Sequence, residues 1–261
     1  MSKYLHREDA PWGDDVWELL DKTAINAAKT QLSARKILNV MGPYGLGQKS
    51  LPGKEREVGE FRVSEGLRLA KIHRVFTLPV TDIAAYEANG LPMDLSNVAT
   101  VALEAARMED DLIFNGSEDL GTEGLLDAEG IHSVDLNDWD DVGMAASDII
   151  NAVTTLDEAG FHGPYNLALA PKNYNLLYRR YERGQMTELD HVSKIVARLV
   201  KAPGIEKGGV VVNDGPQYAS IALGQDLMTG FIGPVGTDYE LSMSESIALR
   251  LLQPKAICVL K

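Results

Sequence analysis

The sequence predicts an α+β fold, and three observations carry that expectation. Several stretches space their apolar residues as one face of a helix, notably 14–35, 95–115 and 138–159. Short runs such as Val210-Val211-Val212 and Ala219 to Leu223 read as strands. The two kinds follow one another in a mixed order, not in the alternating βαβα order of a parallel α/β sheet. With 261 residues, 45% hydrophobic and 24% charged, the chain is long and apolar enough for a sizeable core in one large domain or two modest ones.

Over 14–35, Asp14 and Asp15 suit the positive N-terminal end of a helix, and Trp17, Leu20, Ala24 and Ala27/Ala28 make its buried stripe. Lys29 and Arg35 lie towards its end, and the turn Met41 to Gly47 stops it. Residues 48–78 read as two strands, Glu55 to Val63 and Leu67 to Leu78, joined near Ser64-Glu65-Gly66. This ribbon is crowded with charge, from Lys54, Glu55, Arg56 and Glu57 to Glu65, Arg68, Lys71 and Arg74. A two-stranded ribbon is marginal by itself in water. Because Val58, Phe61, Val63, Leu67, Leu69, Ile72 and Val75 recur through it, the ribbon is expected to pair with another subunit.

A short helical or irregular stretch follows from Pro79 to Pro92. The next helix, capped by Asp94 or Ser96, carries Val98, Val101, Ala102, Ala105, Met108 and Leu112 on one face and ends at Asn115 before Gly116. A helix over 138–159 takes Asn137 or Asp138 as cap and ends at Gly160. Then come a strand Tyr165 to Ala170, a helix from Pro171 to Tyr181, a polar loop at Arg183-Gly184-Gln185 and a helix over 188–200. The remaining strands are Val210 to Val212, Ala219 to Leu223, Tyr239 to Ser244 and Ile247 to Leu252. There is no solenoid repeat or low-complexity tract.

Composition excludes several classes. Lys and Arg number 25 against 38 Asp and Glu, a formal charge of −13 that disfavours a phosphate-neutralising surface and hence nucleic acid. The lone Cys258, inside the apolar run Ala256 to Leu260, rules out a disulfide framework and reads as a buried inert thiol. The N-terminus has no apolar h-region, and no apolar run reaches membrane-spanning length, so a cytoplasmic protein is expected.

No motif reads as a catalytic centre. Gly42 to Ser50 resembles a phosphate-binding loop, but Gln48 separates Gly47 from Lys49, and the loop precedes a strand where a P-loop opens a helix. Asp135 and Asn137 fit calcium-loop positions, but Trp139, Asp140 and Ala146 do not. His6, His73, His132, His162 and His191 lie far apart and lack zinc-site spacing. There is no Gly-x-Ser-x-Gly elbow. The consecutive acids Glu109-Asp110-Asp111 point in different directions on a helix and read as a charged face. The chain is therefore not expected to be an enzyme.

A family resemblance runs through nearly the whole chain. Ala10-Pro11, Trp17, Lys29-Thr30-Gln31-Leu32, Arg35-Lys36 and Gly42-Pro43-Tyr44-Gly45 are followed by Phe76-Thr77-Leu78, Glu109-Asp110, Ile113-Phe114, Gly116 and Gly124-Leu125-Leu126. Gly163-Pro164-Tyr165, Leu223-Gly224-Gln225-Asp226-Leu227 and Pro254-Lys255-Ala256 complete the series. By the number and order of these pieces the chain resembles the encapsulins, or linocin-type bacteriocin proteins. The resemblance implies the tailed-phage major capsid fold. Residues 1–47 would begin the P-domain, 48–78 would be the extended E-loop, and 79–119 would hold the spine helix. Residues 120–225 would form the A-domain, and 226–261 would return to the P-domain.

It also implies function. The chain would self-assemble into a closed icosahedral shell of about sixty copies. The shell would hold a dye-decolorising peroxidase or ferritin-like iron protein through a C-terminal targeting peptide on that cargo, and its pores would control small-solute access. Cargo-peptide docking would fall on Ile25, Ala28, Lys29, Leu32, Arg35, Ile37 and Asn39, with Leu223 and Leu251 from the returning strands. The five-fold pore would be lined by Glu182, Arg183, Gly184, Gln185 and Met186. Some relatives stack a flavin on a tryptophan; the matching position here is Thr81, with Tyr86 offset by about a helical turn, so no flavin, and no metal, is expected in the shell. The competing readings are a prophage capsid protein that packages DNA and a bacteriocin or protease.

Overall fold

A computed structural model describes every residue of the chain except Met1, Lys54, Glu65 and Arg183. Helix α1 (Asp14–Gln31) and the short α2 (Ala34–Ile37) precede β1 (Asn39–Met41), β2 (Ser50–Leu51), β3 (Glu55–Val58), β4 (Phe61–Ser64), β5 (Leu67–Arg68) and β6 (Ala70–Pro79). Next come α3 (Val80–Asn89), α4 (Ser96–Asn115), β7 (His132–Val134), α5 (Met144–Glu158), β8 (Tyr165–Leu169), α6 (Pro171–Leu176) and α7 (Glu188–Val192). The strands β9 (Arg198–Lys201), β10 (Gly209–Asn213), β11 (Ala219–Val235), β12 (Asp238–Leu251) and β13 (Ile257–Leu260) complete the chain. It divides into two compact units: residues 1–32, 42–109 and 223–248, and residues 33–41, 110–222 and 249–261.

The first unit is built on the pairing of β6 with β12, antiparallel from Asp238 opposite Pro79 to Ile247 opposite Ala70. Along β6, Ile72, Phe76 and Leu78 are buried while Lys71, His73 and Val75 are exposed; Arg74 interrupts the buried side, exposed and facing Glu104 at 3.6 Å. Its apolar face meets the α1 stripe of Val16, Trp17, Leu20 and Ala24, together with Ile83 of α3, Val98 and Ala102 of α4, and Leu241 and Met243 of β12. Each fully buried side chain of this kind contributes about 1.5–3 kcal/mol before ordering costs. The start of α4 is fixed by Asp94, whose Oδ1 accepts the Ser96 N–H at 2.9 Å.

The charged ribbon departs from its sequence reading in the position of its turn. The hairpin reverses at Gly59-Glu60, with Val58 opposite Phe61 and Glu55 opposite Ser64, not near Ser64-Glu65-Gly66. Gly59, at φ 62°, takes the first central position of the two-residue loop, where a left-handed residue is needed. The ribbon is thus two small sheets in series, β3–β4 at the tip and β2–β5 at the base.

The second unit holds a five-stranded sheet of order β7-β13-β10-β8-β9. Central β10 runs antiparallel to both β13 and β8. Helix α5 covers one face, packing Ala145, Ile149, Ala152 and Leu156 against Leu167, Leu169, Val211, Cys258 and Leu260. The Cys258 thiol is buried there, and burial pushes its pKa up to about 11. Residues 257–260 pair with β10 and β7. In the same unit β1 pairs in parallel with the start of β11, Asn39 opposite Ser220.

The helix expected from Pro171 to Tyr181 ends at Leu176, and three further helix boundaries differ for identifiable reasons. The helix expected over 14–35 stops at Gln31. In the second unit the buried Asp110 carboxylate takes the Ser33 N–H at 2.9 Å, the Ser33 hydroxyl at 2.5 Å and the Ala34 N–H at 3.0 Å, so a new short helix starts there. The helix expected from 138 begins at Met144, because 137–143 folds onto a buried acid described below. The helix expected over 188–200 ends at Val192, and Arg198–Lys201 instead joins the sheet in parallel with β8. Sheet pairing there overrides the local spacing.

Candidate docking and pore surfaces

The residues expected to dock a cargo peptide are divided between the two units. In the first, Ile25 is 44% exposed and Lys29 is exposed, whereas Ala28, Leu32 and Leu223 are buried. Ala28 and Leu32 pack with Ala106 and Leu227. They lie in the core because positions 24, 28 and 32 continue one face of α1 at four-residue steps, and Ile25 is turned off that face. In the second unit Ile37 is buried, while Arg35, Asn39 and Leu251 are partly exposed. The Asn39 amide donates to Asp214 Oδ1 at 3.3 Å.

Beside Ile25 the first unit has a notch of about 140 Å³, lined by Ala24, Ile25, Leu227, Met228 and Met243. One rim is polar and rigid. Arg7 reaches the two Asp21 carboxylate oxygens at 2.8 and 2.6 Å and donates to the Thr229 carbonyl and hydroxyl at 2.9 and 2.8 Å. Its guanidinium also lies over the Trp17 ring, 4.5 Å from the centroid. A fork so fully engaged holds β11 against α1 and fixes the shape of the notch. Two flexible thioether side chains in the lining can adapt to an incoming aliphatic group.

The expected pore loop projects from a well-fastened stem in the second unit. Arg183 lies outside the described residues; Glu182, Gly184, Gln185 and Met186 are exposed. Arg180 and Thr187 form a β-bridge, and the Tyr181 N–H reaches the Met186 carbonyl at 3.3 Å. Thr187 caps α7 reciprocally. Its hydroxyl accepts the Asp190 N–H at 3.1 Å, while Asp190 Oδ2 accepts the Thr187 N–H at 3.0 Å and hydroxyl at 2.7 Å. Those donors, the N–H first, hold the Asp190 carboxyl below its ordinary value. The Tyr181 hydroxyl meets His191 Nδ1 at 2.8 Å. Burial, and then the Glu188 charge, raise the Tyr181 pKa.

Two buried acids that the sequence reading passed over organise this unit. Glu188, fully buried, takes the Gly143 N–H at 2.8 Å and faces Arg179 at 3.7 Å, and Arg179 also donates to the Trp139 and Asp140 carbonyls. Asp148, also fully buried, accepts the Asn137 N–H at 2.8 Å, the Asn137 amide at 2.6 Å and Trp139 Nε1 at 2.7 Å. The Asp135–Asp141 stretch is thus the cover of an acid-centred loop, and among the described residues no group of three or more His, Cys, Asp or Glu could hold a metal ion. A signal for Asp148 existed: it sits inside the α5 stripe of Ala145, Ile149 and Ala152, where an acid has to find buried donors.

The tip of the ribbon is an uncovered apolar surface. Phe61 is 75% exposed, and Val58 and Val63 are nearly half exposed, between Glu57 and Arg62, which pair loosely at 3.3 Å. Thr81, considered above for flavin stacking, is exposed in the first turn of α3, and Tyr86 packs against the core of the first unit. Among the described residues no helix is long and apolar enough to cross a membrane.

Comparisons with known proteins agree with one another. The linocin-type family described as "Encapsulating protein for peroxidase" matches residues 1–248. The type 1 encapsulin shell protein EncA of Myxococcus xanthus is 31% identical over 279 aligned positions, covering 100% of this chain and 97% of that one. A diheme-cytochrome–encapsulin shell fusion protein of Kuenenia stuttgartiensis is 29% identical, over 94% of this chain and 72% of its own length. Among solved structures, a virus-like particle from Pyrococcus furiosus superimposes with a TM-score of 0.76 at 22% identity, covering 94% of this chain and 99% of that one. The capsid of the Myoviridae phage XM1 shares the fold with a TM-score of 0.61 at 14% identity, covering 87% of this chain and 90% of that one.

Proposed function

The chain belongs to the linocin-type family of encapsulating proteins, and from that premise we propose that it is the shell protein of a type 1 encapsulin nanocompartment. The observation that carries this reading is the full-length match to the Myxococcus xanthus shell protein. The role is structural: the chain forms the wall, it is not an enzyme, and the chemistry belongs to what the wall encloses. The capsid fold is shared with tailed phages, but the likeness to the XM1 capsid, at 14% identity, is one of fold alone, which favours a cargo compartment over a DNA-packaging head. The −13 charge points the same way. No sequence motif of a nucleophile with its base supports a protease.

In this proposal about sixty copies close into an icosahedron, the smallest such arrangement of identical subunits. The ribbon tip with Phe61, Val58 and Val63 supplies contact between copies, since these apolar side chains stand 44–75% exposed. The cargo is a redox or iron enzyme, of the dye-decolorising peroxidase or ferritin-like class, held by a C-terminal targeting peptide. Relatives exist as shells fused to a diheme cytochrome and to a ferritin-like protein, which supports that class. The peptide docks on the α1 face carrying Ile25 and Lys29, with an aliphatic side chain in the notch beside Ile25. The buried Ala28 and Leu32 support this face from beneath, and Leu223 is buried in the same unit. Of the other candidate residues, Arg35, Ile37, Asn39 and Leu251 belong to the second unit.

Weak docking suffices, because many copies in one shell hold a multimeric cargo by avidity. The loop of Glu182, Arg183, Gly184, Gln185 and Met186 lines the five-fold pore. No cofactor is proposed for the shell, since Thr81 offers no ring on which a flavin could stack. The compartment is placed in the cytoplasm. Mass spectrometry of proteins retained inside natively purified particles tests the cargo assignment. A peroxidase or ferritin-like protein with a C-terminal tail is expected, and packaged DNA with no cargo protein would overturn it.

A further inference from the structure

The first unit contains a second and larger concavity, a cleft of about 450 Å³, within the range of small-molecule sites. Its floor is the open face of the β6–β12 pair. His73 stands opposite Ser244, and Lys71 and Ser242 lie on the same face by the two-residue period. Ser244 Oγ accepts from the Gln225 amide at 3.2 Å, which leaves its O–H as a donor. One wall is the N-terminal segment, tied along β11 where the Leu5 carbonyl accepts the Phe231 N–H at 2.8 Å. The other wall is Leu46, from the glycine-rich turn. That turn is anchored where the Tyr44 and Gly45 N–H groups reach the Leu223 and Gly224 carbonyls at 3.0 and 2.6 Å. The motif that resembles a phosphate loop therefore serves as an apolar wall.

The lining has two characters. Tyr4 and Ile232 are 62% and 49% exposed and, with Leu46 and Phe231, make an apolar side. Lys71, His73 and the serines make a donor side. The cleft's carboxylate, Asp9, is already engaged by His6 Nδ1 at 2.9 Å. Among the described residues no carboxylate pairs with Lys71 or His73. In a chain of net charge −13, Lys71 is a cation with no carboxylate partner among the described residues, and it gives the donor side its preference for an anion. His6 is also the one non-glycine among the described residues with positive φ, at 52°, a conformation that places its ring on the cleft wall beside Asp9.

We infer that this cleft binds a small organic anion, a phosphate or carboxylate carrying an aromatic ring or short apolar chain. Lys71, His73 and the Ser242 and Ser244 hydroxyls hold the anionic group, and Tyr4, Leu46, Phe231 and Ile232 receive the apolar part. The test is a fluorescence titration of the assembled protein with 2-naphthyl phosphate, alongside 2-naphthol and inorganic phosphate. Saturable binding at one probe per chain is expected, with both single-feature probes weaker by about tenfold or more. Lys71→Ala should weaken 2-naphthyl phosphate by about tenfold, and Tyr4→Glu, which sets a carboxylate at the mouth, should also weaken it. Lys207→Ala, an exposed site in the other unit, should leave it unchanged. Absence of saturable binding, equal binding of 2-naphthol, or full affinity in a folded Lys71→Ala/His73→Ala variant overturns the assignment.

Discussion

Glu188 accepts the backbone N–H of Gly143 at 2.8 Å across 45 residues of chain, so the first residue of α7 serves as the cap for α5. The same carboxylate faces Arg179, which grips the carbonyls of the loop before α5. The pore-loop stem and the start of α5 are therefore one electrostatic assembly. Glu188→Ala strips that donor of its partner, and a loss of about 1–3 kcal/mol in stability is expected. Glu188→Gln keeps an acceptor and should lose less. Unfolding midpoints, together with hydrogen exchange confined to residues 143–146, check the ordering.

Asp148 makes the same argument without a cationic partner. Its three donors come from Asn137 and Trp139, so Asp148→Ala leaves a buried indole N–H and an amide unsatisfied. A loss of about 3 kcal/mol or more is expected, because bonds to an ionised acceptor are the stronger kind. A red shift of tryptophan emission, as the loop over residue 139 lifts, would accompany it.

Acid should loosen the pore-loop stem before it affects the core. Asp190 has its folded pKa depressed by the Thr187 N–H and hydroxyl. A depressed carboxylate contributes stability that is fully present above its unfolded value, here 3.8, and is lost as pH falls through the lower folded value. Exchange protection at Thr187 and Asp190 should therefore fall below about pH 4. In Asp190→Asn that pH dependence should be absent, and the protection lower throughout.

Docking and folding can be separated along α1. Ile25→Asp changes a side chain 44% exposed at the notch and should leave particles intact while cargo retention falls. Leu32→Asp places an unpaired charge in the Ala28–Leu32–Ala106 cluster and should destabilise the subunit itself. Cargo-to-shell ratios on denaturing gels of purified particles distinguish the two. Full cargo in Ile25→Asp would refute the docking face.

How far the sequence could be read follows from which forces are local. The α4 boundaries were legible because Asp94 and Gly116 are local signals, and β6 because Ile72, Phe76 and Leu78 keep the two-residue spacing despite Arg74. The turn at Gly59-Glu60 was misplaced because the ribbon offers glycines at both 59 and 66, and register, not composition, decides between them. The break after Gln31 and the start of α5 were hidden because the carboxylates that take the Ser33 and Asn137 N–H groups, Asp110 and Asp148, are distant in sequence. The docking residues came from resemblance to a family. That resemblance marked α1 but could not tell the exposed Ile25 from the buried Ala28 and Leu32 one turn away.

The central claim is that this chain closes into a shell, and electron microscopy of the purified protein addresses it most directly. Uniform hollow icosahedral particles are expected from the natural sequence. Phe61→Asp/Val63→Asp, altering two side chains exposed on the ribbon tip, should give folded subunits by circular dichroism that do not close. A natural sequence that stays monomeric or forms only open aggregates under native conditions would contradict the account.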